Sequence, residues 1–317
     1  MSQILSSAEE QQKRLIPFTV GIPISAGDSD ATEALVFVLR ERLSLGHQLK
    51  RIVAVASGLS AEQLSALKSL AAQDRRILII EEDKRYGKWE ALNRILDSAE
   101  GEYLVLLNGD ALPLPGSIDS LLEKISSDSD VAVASAFPLV YSNTMVTGRI
   151  IKIFWDAHNE ALTRLARTGS NNHSCDELMA IRLASVSKLP SGTINDGAYM
   201  AGRAYLEGYQ VTFCQDAFVK VRVPRKLGDL LRQRRRIVYG HMQIWKLLGK
   251  PPRTMESIAV MNPIEAISIL TTVMARDPTL IPILPIAVIE EAFSVTLAFL
   301  DNLLGGNRHI VWDRYVS

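Results

Sequence analysis

Residues 101–113 read GEYLVLLNGDALP. YLVLL is apolar at every position, which predicts a strand buried on both faces rather than one alternating between core and solvent. The run then delivers Asn108, Gly109 and Asp110 together, and prolines at 113 and 115 stop it. Asn-Gly is a strong turn signal. A carboxylate at the end of a buried strand can also hold a divalent ion that bridges two phosphates. A hairpin turn needs a second antiparallel strand at once, whereas ALPLPG leads towards PGSIDSLLEKI (115–125), a segment with helical spacing.

The same alternation extends on both sides. FTVGIPI (18–24), RIVAVAS (51–57) and RILII (76–80) read as strands. ATEALVFVLRERL (31–43), SAEQLSALKSLAAQ (60–73) and GKWEALNRILDSA (87–99) have helical spacing, and Ser60 is placed to cap its helix. Doubly apolar strands alternating with amphipathic helices predict an α/β fold, a mainly parallel, Rossmann-like sheet flanked by helices. In such sheets ligands bind beyond the carboxyl ends of the strands. Further on, VAVASAFPLV (131–140), ELMAIRLAS (177–185), YQVTFCQ and AFVKVRV (209–223) read as strands. GRIIKIFWDAHNEALTRLAR (148–167), NDGAYMAGRAYLEG (195–208) and LGDLLRQRRRIVYGHMQIWKLLG (227–249) read as helices, the second closed by Gly208 and the last as one helix or a pair.

Composition bounds the function. The 317 residues are 47% hydrophobic, enough for a sizeable core, and 35 basic residues balance 35 acidic ones, so average charge points to no polyanionic partner. Cys175 and Cys214 are far apart with no CxxC, which indicates neither zinc nor a disulfide framework and fits a reducing compartment. Residues 1–15 read as a polar tail, since MSQILSSAEEQQKR lacks the apolar core of a signal peptide. The five histidines are scattered along the chain, and no metal site is expected at His173 and Cys175.

Five segments after strands or at helix starts carry chemistry. Pro23 ends the first strand before SAGDSD, where Asp28 or Asp30 could cap the next helix or face a nucleotide. Gly87-Lys88 opens a helix, a place that favours phosphate. Asn108-Gly109-Asp110 is the third segment. Asn195-Asp196 opens another helix, where a carboxylate is a cap or a general base. Gln233-Arg234-Arg235-Arg236 is a solvated face, a weak nucleic-acid patch disfavoured by the lack of interleaved aromatics, or a set of arginines facing a diphosphate. No Walker pattern or GxGxxG is present.

In this order the segments resemble the family 2 inverting glycosyltransferases, which have the GT-A fold, over residues 16–245. VGIP (20–23), GKWEALN (87–93), GEYLVLLNGDALPLPGSI (101–118), Asn195-Asp196 with Gly208, and Gln233 with Arg236 follow the family's motifs. The resemblance implies a catalytic domain over 16–225 and a helical region over 226–317. It implies a nucleotide-diphosphate sugar donor held by Pro23, Asp28, Ser57, Lys88, Asn93, Asn108, Gln233 and Arg236. Asp110 would contact Mg²⁺ or Mn²⁺, and Asp196 would be the base. Three departures are evident: Ala56-Ser57-Gly58 lacks the acidic pair that reads the base, Asn108 replaces the first carboxylate of DxD, and Asn195 replaces the glutamate of the ED pair. Ile237 stands where processive synthases carry tryptophan, which implies transfer of one sugar to a saccharide or lipid-linked acceptor. Two other readings compete. A sugar-nucleotide nucleotidyltransferase would want a basic glycine-rich loop where SAGDSD is acidic, and a non-catalytic sugar-nucleotide-binding relative would explain the lost carboxylates.

The end of the chain is apolar: AISILTTVMA (266–275), PTLIPILPIAVI (278–289) and AFSVTLAFL (292–300), broken only by Arg276, Asp277, Glu290 and Glu291. No uninterrupted run of eighteen apolar residues is present. Residues 264–304 are expected either as a core or homodimer hairpin, or, the preferred reading, as helices in a membrane interface. That reading sets a cytoplasmic protein at the cytoplasmic face of the membrane. HIVWDRYVS (309–317) receives no role.

Overall fold

In the computed structural model, residues 15–26, 28, 32–44, 46–140, 145–305 and 309 are described. The expected N-terminal tail up to residue 14, Asp30, and all of the C-terminal nonapeptide except His309 lie outside them.

The chain runs β1 (Ile16–Ser25), α1 (Glu33–Arg40), β2 (His47–Ser57), α2 (Ala61–Gln73), β3 (Ile77–Glu82), α3 (Lys88–Ser98), β4 (Tyr103–Leu107), β5 (Leu112–Pro113), α4 (Ser117–Ser126) and β6 (Val131–Val140). It continues through α5 (Val146–Arg167), β7 (Leu178–Arg182), α6 (Asp196–Leu206), β8 (Gln210–Val221), α7 (Leu227–Leu248), α8 (Met255–Met261), α9 (Pro263–Arg276) and α10 (Leu284–Leu304), with a 3₁₀ segment at Pro278–Ile283 before the last helix. One sheet takes the order β3-β2-β1-β4-β7-β6-β8-β5. Its first half, β3 to β4, is parallel throughout. The second half is mixed. β7 enters antiparallel between β4 and β6, while β6 and β8 run parallel. Residues 209–223, expected as two strands, form the single strand β8, whose pairing with β6 shifts register near Ser135–Phe137.

The alternation of side chains explains the layers. Val105 and Leu107 of β4 join Val20 and Ile22 of β1 on one face, covered by α1 and α4. Leu104 and Leu106 face the other way, against Ala91, Leu92 and Ile95 of α3 and Ala198 and Ala201 of α6. Each face is buried, so the central strands must be apolar at every position. A third apolar cluster joins α5, α7, α8, α9 and α10, with Ile150, Ile153, Leu230, Ile269 and Leu280 at its centre.

The last two apolar runs are not separate. Residues 284–304 form one helix with Glu290 and Glu291 inside it, and Pro278–Leu304 is long and apolar enough to cross a membrane by length and composition. Much of its surface, with that of α8 and α9, is exposed: Val260, Ile264, Ile267, Ile289, Phe293 and Leu303 all face outwards.

Candidate active site

The carboxyl ends of β1, β2 and β4 and the starts of α3 and α6 converge on one cavity of about 870 Å³. Pro23, Ser25, Ser57 and Arg85 line one part, and Lys88, Asn108, Asp110, Asp176, Glu177, Asp196, Gln233 and Arg236 line the next.

Asn108-Gly109-Asp110 is a turn as well as a site. The Ala111 N–H donates to the Asn108 carbonyl at 3.1 Å, and β5 follows at once, antiparallel to β8. The chain turns here but closes no hairpin, since β5 pairs with β8 and not with β4, and Gly109 does not take the positive φ of a type I′ turn. Glycine is required there for space: a Cβ would lie 2.6 Å from Asp28 Oδ2 and 2.9 Å from the Pro23 carbonyl. The turn rests on the β1 loop and aims Asp110 into the cavity.

Lys88, the first residue of α3, reaches across to two carboxylates. Its Nζ lies 2.8 Å from Asp176 Oδ2 and 2.9 Å from Asp196 Oδ2. Burial opposes its charge, but Asp176 and Asp196 outweigh that and hold the ammonium protonated. Burial raises the Asp196 carboxyl above its ordinary range against the pull of Lys88. At Asp176 burial pushes up, Lys88 prevails, and the net shift is downward. Asp196 is 2% exposed and Asp176 opens more to the cavity. Asn195 is the N-cap residue of α6 without a side-chain capping bond, and its Nδ2 donates instead to the Ile237 carbonyl of α7 at 2.9 Å. Gly240 permits that approach, since a Cβ there would meet Asn195 Cγ at 2.6 Å. The start of α6 is thus fixed by α7, and Asp196 is turned to Lys88.

Asp176 and Glu177 were not singled out by sequence. They precede β7, and the only signal was two acidic residues before a buried strand. Asn108 explains one of them: its Nδ2 donates to Glu177 Oε2, and its N–H donates to the Glu177 carbonyl at 3.1 Å. Burial, with Asp176 and Asp110 nearby, raises Glu177 to about 8. Burial also raises Asp110, against Lys88 and Arg222. Four acidic side chains therefore line one cavity with Lys88 and Arg236, and two of them are already paired with Lys88. No group of three metal-ligating side chains gathers among the described residues. A divalent ion here would be held chiefly by Asp110, with phosphate and water oxygens completing its shell, as suits Mg²⁺ and Mn²⁺.

Two expected donor contacts are differently employed. Asp28 is buried and does not line the cavity. Its Oδ2 accepts the Ser25 N–H at 2.7 Å and braces the loop under Gly109, and Thr32, not Asp28, precedes α1. Asn93 Nδ2 donates to the Leu189 carbonyl at 3.0 Å and its Oδ1 accepts the Leu189 N–H at 2.8 Å. Both ends of that amide tie α3 to the loop before α6, away from the cavity. At β2, Ser57 Oγ donates to the buried Glu82 of β3, which does not itself line the cavity.

The arginine run is not a solvated face. Gln233 and Arg236, three apart on α7, face the cavity. Arg234 makes a bidentate pair with Glu291 of α10 at 2.8 and 2.9 Å, pairs with Glu256 of α8 and stacks on Phe154. Arg235 pairs with Asp301 of α10. Three histidines distant in sequence also meet: His173 and His241 approach at 3.3 Å between Nε2 atoms, and the His158 ring stands edge-on to His173 with centroids 5.3 Å apart. Burial lowers His158 and His241 to about 4 and His173 well below its usual value. Both cysteines are free and buried.

Comparison with known proteins bears on this geometry. A family model described as glycosyl transferase family 2 matches residues 29–189. Poly-beta-1,6-N-acetyl-D-glucosamine synthase of Staphylococcus aureus strain COL is 20% identical over 230 residues, 71% of this chain and 55% of its own length. The chain thus spans about half the length of the curated relatives it matches. A mannosyltransferase from Pyrobaculum calidifontis, solved with GDP-Man and Mn²⁺, superposes with a TM-score of 0.63 at 18% identity over 92% of this chain and 88% of the other. GalNAc-T7, solved with UDP, GalNAc and Mn²⁺, gives 0.53 at 12% identity over 74% and 48%. The GT-A fold is shared.

Proposed function

This chain belongs to glycosyl transferase family 2, and on that premise we propose that it moves a single sugar from a nucleotide-diphosphate sugar to an acceptor hydroxyl with inversion. The observation that carries the reading is Lys88 held between Asp176 and Asp196, beside Asp110 and Arg236, at the strand ends of one cavity. The donor lies across those ends, its nucleotide towards Pro23, Ser57 and Arg85. Lys88 and Arg236 offer positive charge where the leaving diphosphate develops negative charge. Asp196, whose affinity for a proton burial has raised, takes the hydroxyl proton. The acceptor oxygen bonds to the anomeric carbon as the bond to the diphosphate oxygen breaks, and the electron pair leaves with the diphosphate. A Mg²⁺ or Mn²⁺ ion held by Asp110 would add charge at the diphosphate. Ile237, which lines the cavity where processive synthases carry tryptophan, supports a single transfer.

The exposed apolar faces of α8, α9 and α10 support a position at a membrane surface, and the free buried cysteines accord with its cytoplasmic face. A thermal-shift screen of nucleoside diphosphates and their sugars with Mn²⁺ should single out one base. Asp196→Asn should retain that shift and lose roughly 10²–10⁴-fold in transfer. Near-normal transfer by the variant would overturn the assignment.

A further inference from the structure

The cavity does not end at the carboxylates. It runs on between α5, α8, α9 and α10, where Ile151, Phe154, Leu270, Leu284, Val288 and Val295 form its walls. We propose that this extension seats an amphiphilic acceptor, with a hydroxyl-bearing head group among the imidazoles and one long aliphatic chain between the helices. The inference rests on the transferase reading and names the class of its acceptor.

Three observations converge on it. The volume of about 870 Å³ is near the top of the range for small-molecule sites, about 300–1,000 Å³. It joins a charged end to an aliphatic end in one space. The middle is lined by His158, His173 and His241, and among the described residues His158 Nε2, His173 Nδ1 and His241 Nδ1 are buried without a hydrogen-bond partner. His173 is only 6% exposed. Buried polar atoms of this kind are ordinarily satisfied, and hydroxyls of a bound head group would satisfy them.

The far walls disfavour a saccharide chain: they are mainly aliphatic, and the charged groups there, Arg234, Glu256 and Glu291, are engaged in their own ion pairs. Aliphatic side chains would leave buried sugar hydroxyls unpaired, at a cost of about 1–3 kcal/mol each. The mouth also fits an aliphatic chain. Val260 and Val288 line the cavity and are 84% and 53% exposed, so its rim is continuous with the apolar surface of Ile264, Ile289 and Phe293.

The test titrates the full chain with hexyl, octyl and decyl β-D-glucopyranosides, each below its critical micelle concentration. Affinity should rise about fourfold for each methylene buried. Ala287→Phe and Ala292→Phe, which thicken the wall on α10, should abolish that dependence. The second variant guards against misfolding at the more buried Ala287, and melting curves establish that each folds. Ile289→Glu, on the outer face, should keep alkyl glucoside binding while weakening adsorption to phosphatidylglycerol vesicles. Equal affinity at every chain length overturns the proposal. So does unchanged binding in folded Ala292→Phe, or loss of monomer binding in Ile289→Glu, which would move the chain to the outer surface. Nucleotide-sugar thermal shifts are read separately. Donor shifts without chain-length dependence defeat the acceptor class alone, and chain-length dependence without any donor shift defeats the transferase reading.

Discussion

The rim of the sheet, with the start of α6, and the helical region from α7 onwards both bury charge, by opposite means. At the rim, Asp110, Asp176 and Asp196 stand at element ends beside the cavity, and turns and backbone bonds hold them there. In the helical region, Arg234 and Arg235 reach sideways from α7 and tie Glu256, Glu291 and Asp301 of other helices together. The first arrangement keeps charge available to a ligand, and the second consumes it in holding helices together. One run, Gln233 to Arg236, serves both: Gln233, Arg234 and Arg236 line the cavity, and Arg234 and Arg235 anchor α8 and α10.

The largest stability effect should therefore come from breaking an anchor. Arg234→Ala would leave Glu256 and Glu291 facing each other without their cation. Removing one member of a buried ion pair costs about 3–5 kcal/mol, so chemical denaturation should show a loss of that order. Arg236→Ala, in the same run, should be far milder in denaturation and should act instead on donor binding. Similar stability losses for the two would erase the distinction between anchor and ligand group.

Acid should strain the helical side next. His158 on α5 and His241 on α7 are held near 4, below the ordinary 6.5, by burial, with Glu256 and Asp176 opposing and Arg234 reinforcing. A depressed histidine contributes stability that is full above its unfolded pKa and lost as pH falls through the folded one. Stability should thus decline between about pH 6.5 and 4, by on the order of 3 kcal/mol for each histidine. Melting temperature followed over that range should fall more steeply in the wild type than in His158→Phe. Parallel curves would mean that the cluster does not govern the acid limb.

At the sheet, the sharper probe is Asn108→Asp, which restores the first carboxylate of the DxD pattern. The amide now donates to Glu177. The new carboxylate would compete with Glu177 for one proton, and its charge would hold that proton to higher pH than the value of about 8 at which Glu177 loses it beside the amide. The expected loss is about 1–3 kcal/mol, smaller at pH 6 than at pH 9, read by denaturation in EDTA. A variant equally stable at both pH values would show that Asn108 does not serve to hold Glu177.

What was legible in the sequence follows the same division. Strands β1 to β4 and helices α2 and α3 could be read because each is defined by its own residues: unbroken apolar runs, helical spacing, and Ser60 before its helix. The candidate positions Lys88, Asp110, Asp196, Gln233 and Arg236, which line one cavity, could be picked out because each follows a strand, opens a helix or lies on one side of a helix. What escaped was relational. Asp176 meets Lys88 across 88 residues, and His173 meets His241 across 68. The insertion of β7 between β4 and β6 is invisible to periodicity, which carries no pairing partner. Arginines in a row look solvated until the carboxylates 22 to 66 residues away fold against them. Asp28 and Asn93 sit at motif positions but are spent on backbone, a distinction that depends on orientation alone.

The smallest effect tests the parallel half where sequence and structure agree most closely. Ser60 adopts an extended conformation before α2, its Oγ accepts the Gln63 N–H at 3.1 Å, and Gln63 Oε1 accepts the Ser60 N–H at 3.1 Å. This reciprocal pair satisfies two groups that the first turn of a helix otherwise leaves to water. Ser60→Ala removes one of the two bonds and should cost about 1 kcal/mol. Ser60→Gly should cost only a few tenths, because glycine is itself tolerated at an N-cap. Neither residue lines the cavity, so nucleotide-sugar thermal shifts should be preserved in both variants even as the baseline melting temperature falls. If Ser60→Ala instead altered donor binding, α2 would be coupled to the site through Gln63, whose Nε2 donates to the Asp28 carbonyl at 3.5 Å. The loop beneath Gly109 would then be stiffened from outside the sheet, and the line between scaffold and site would have to be redrawn at Asp28.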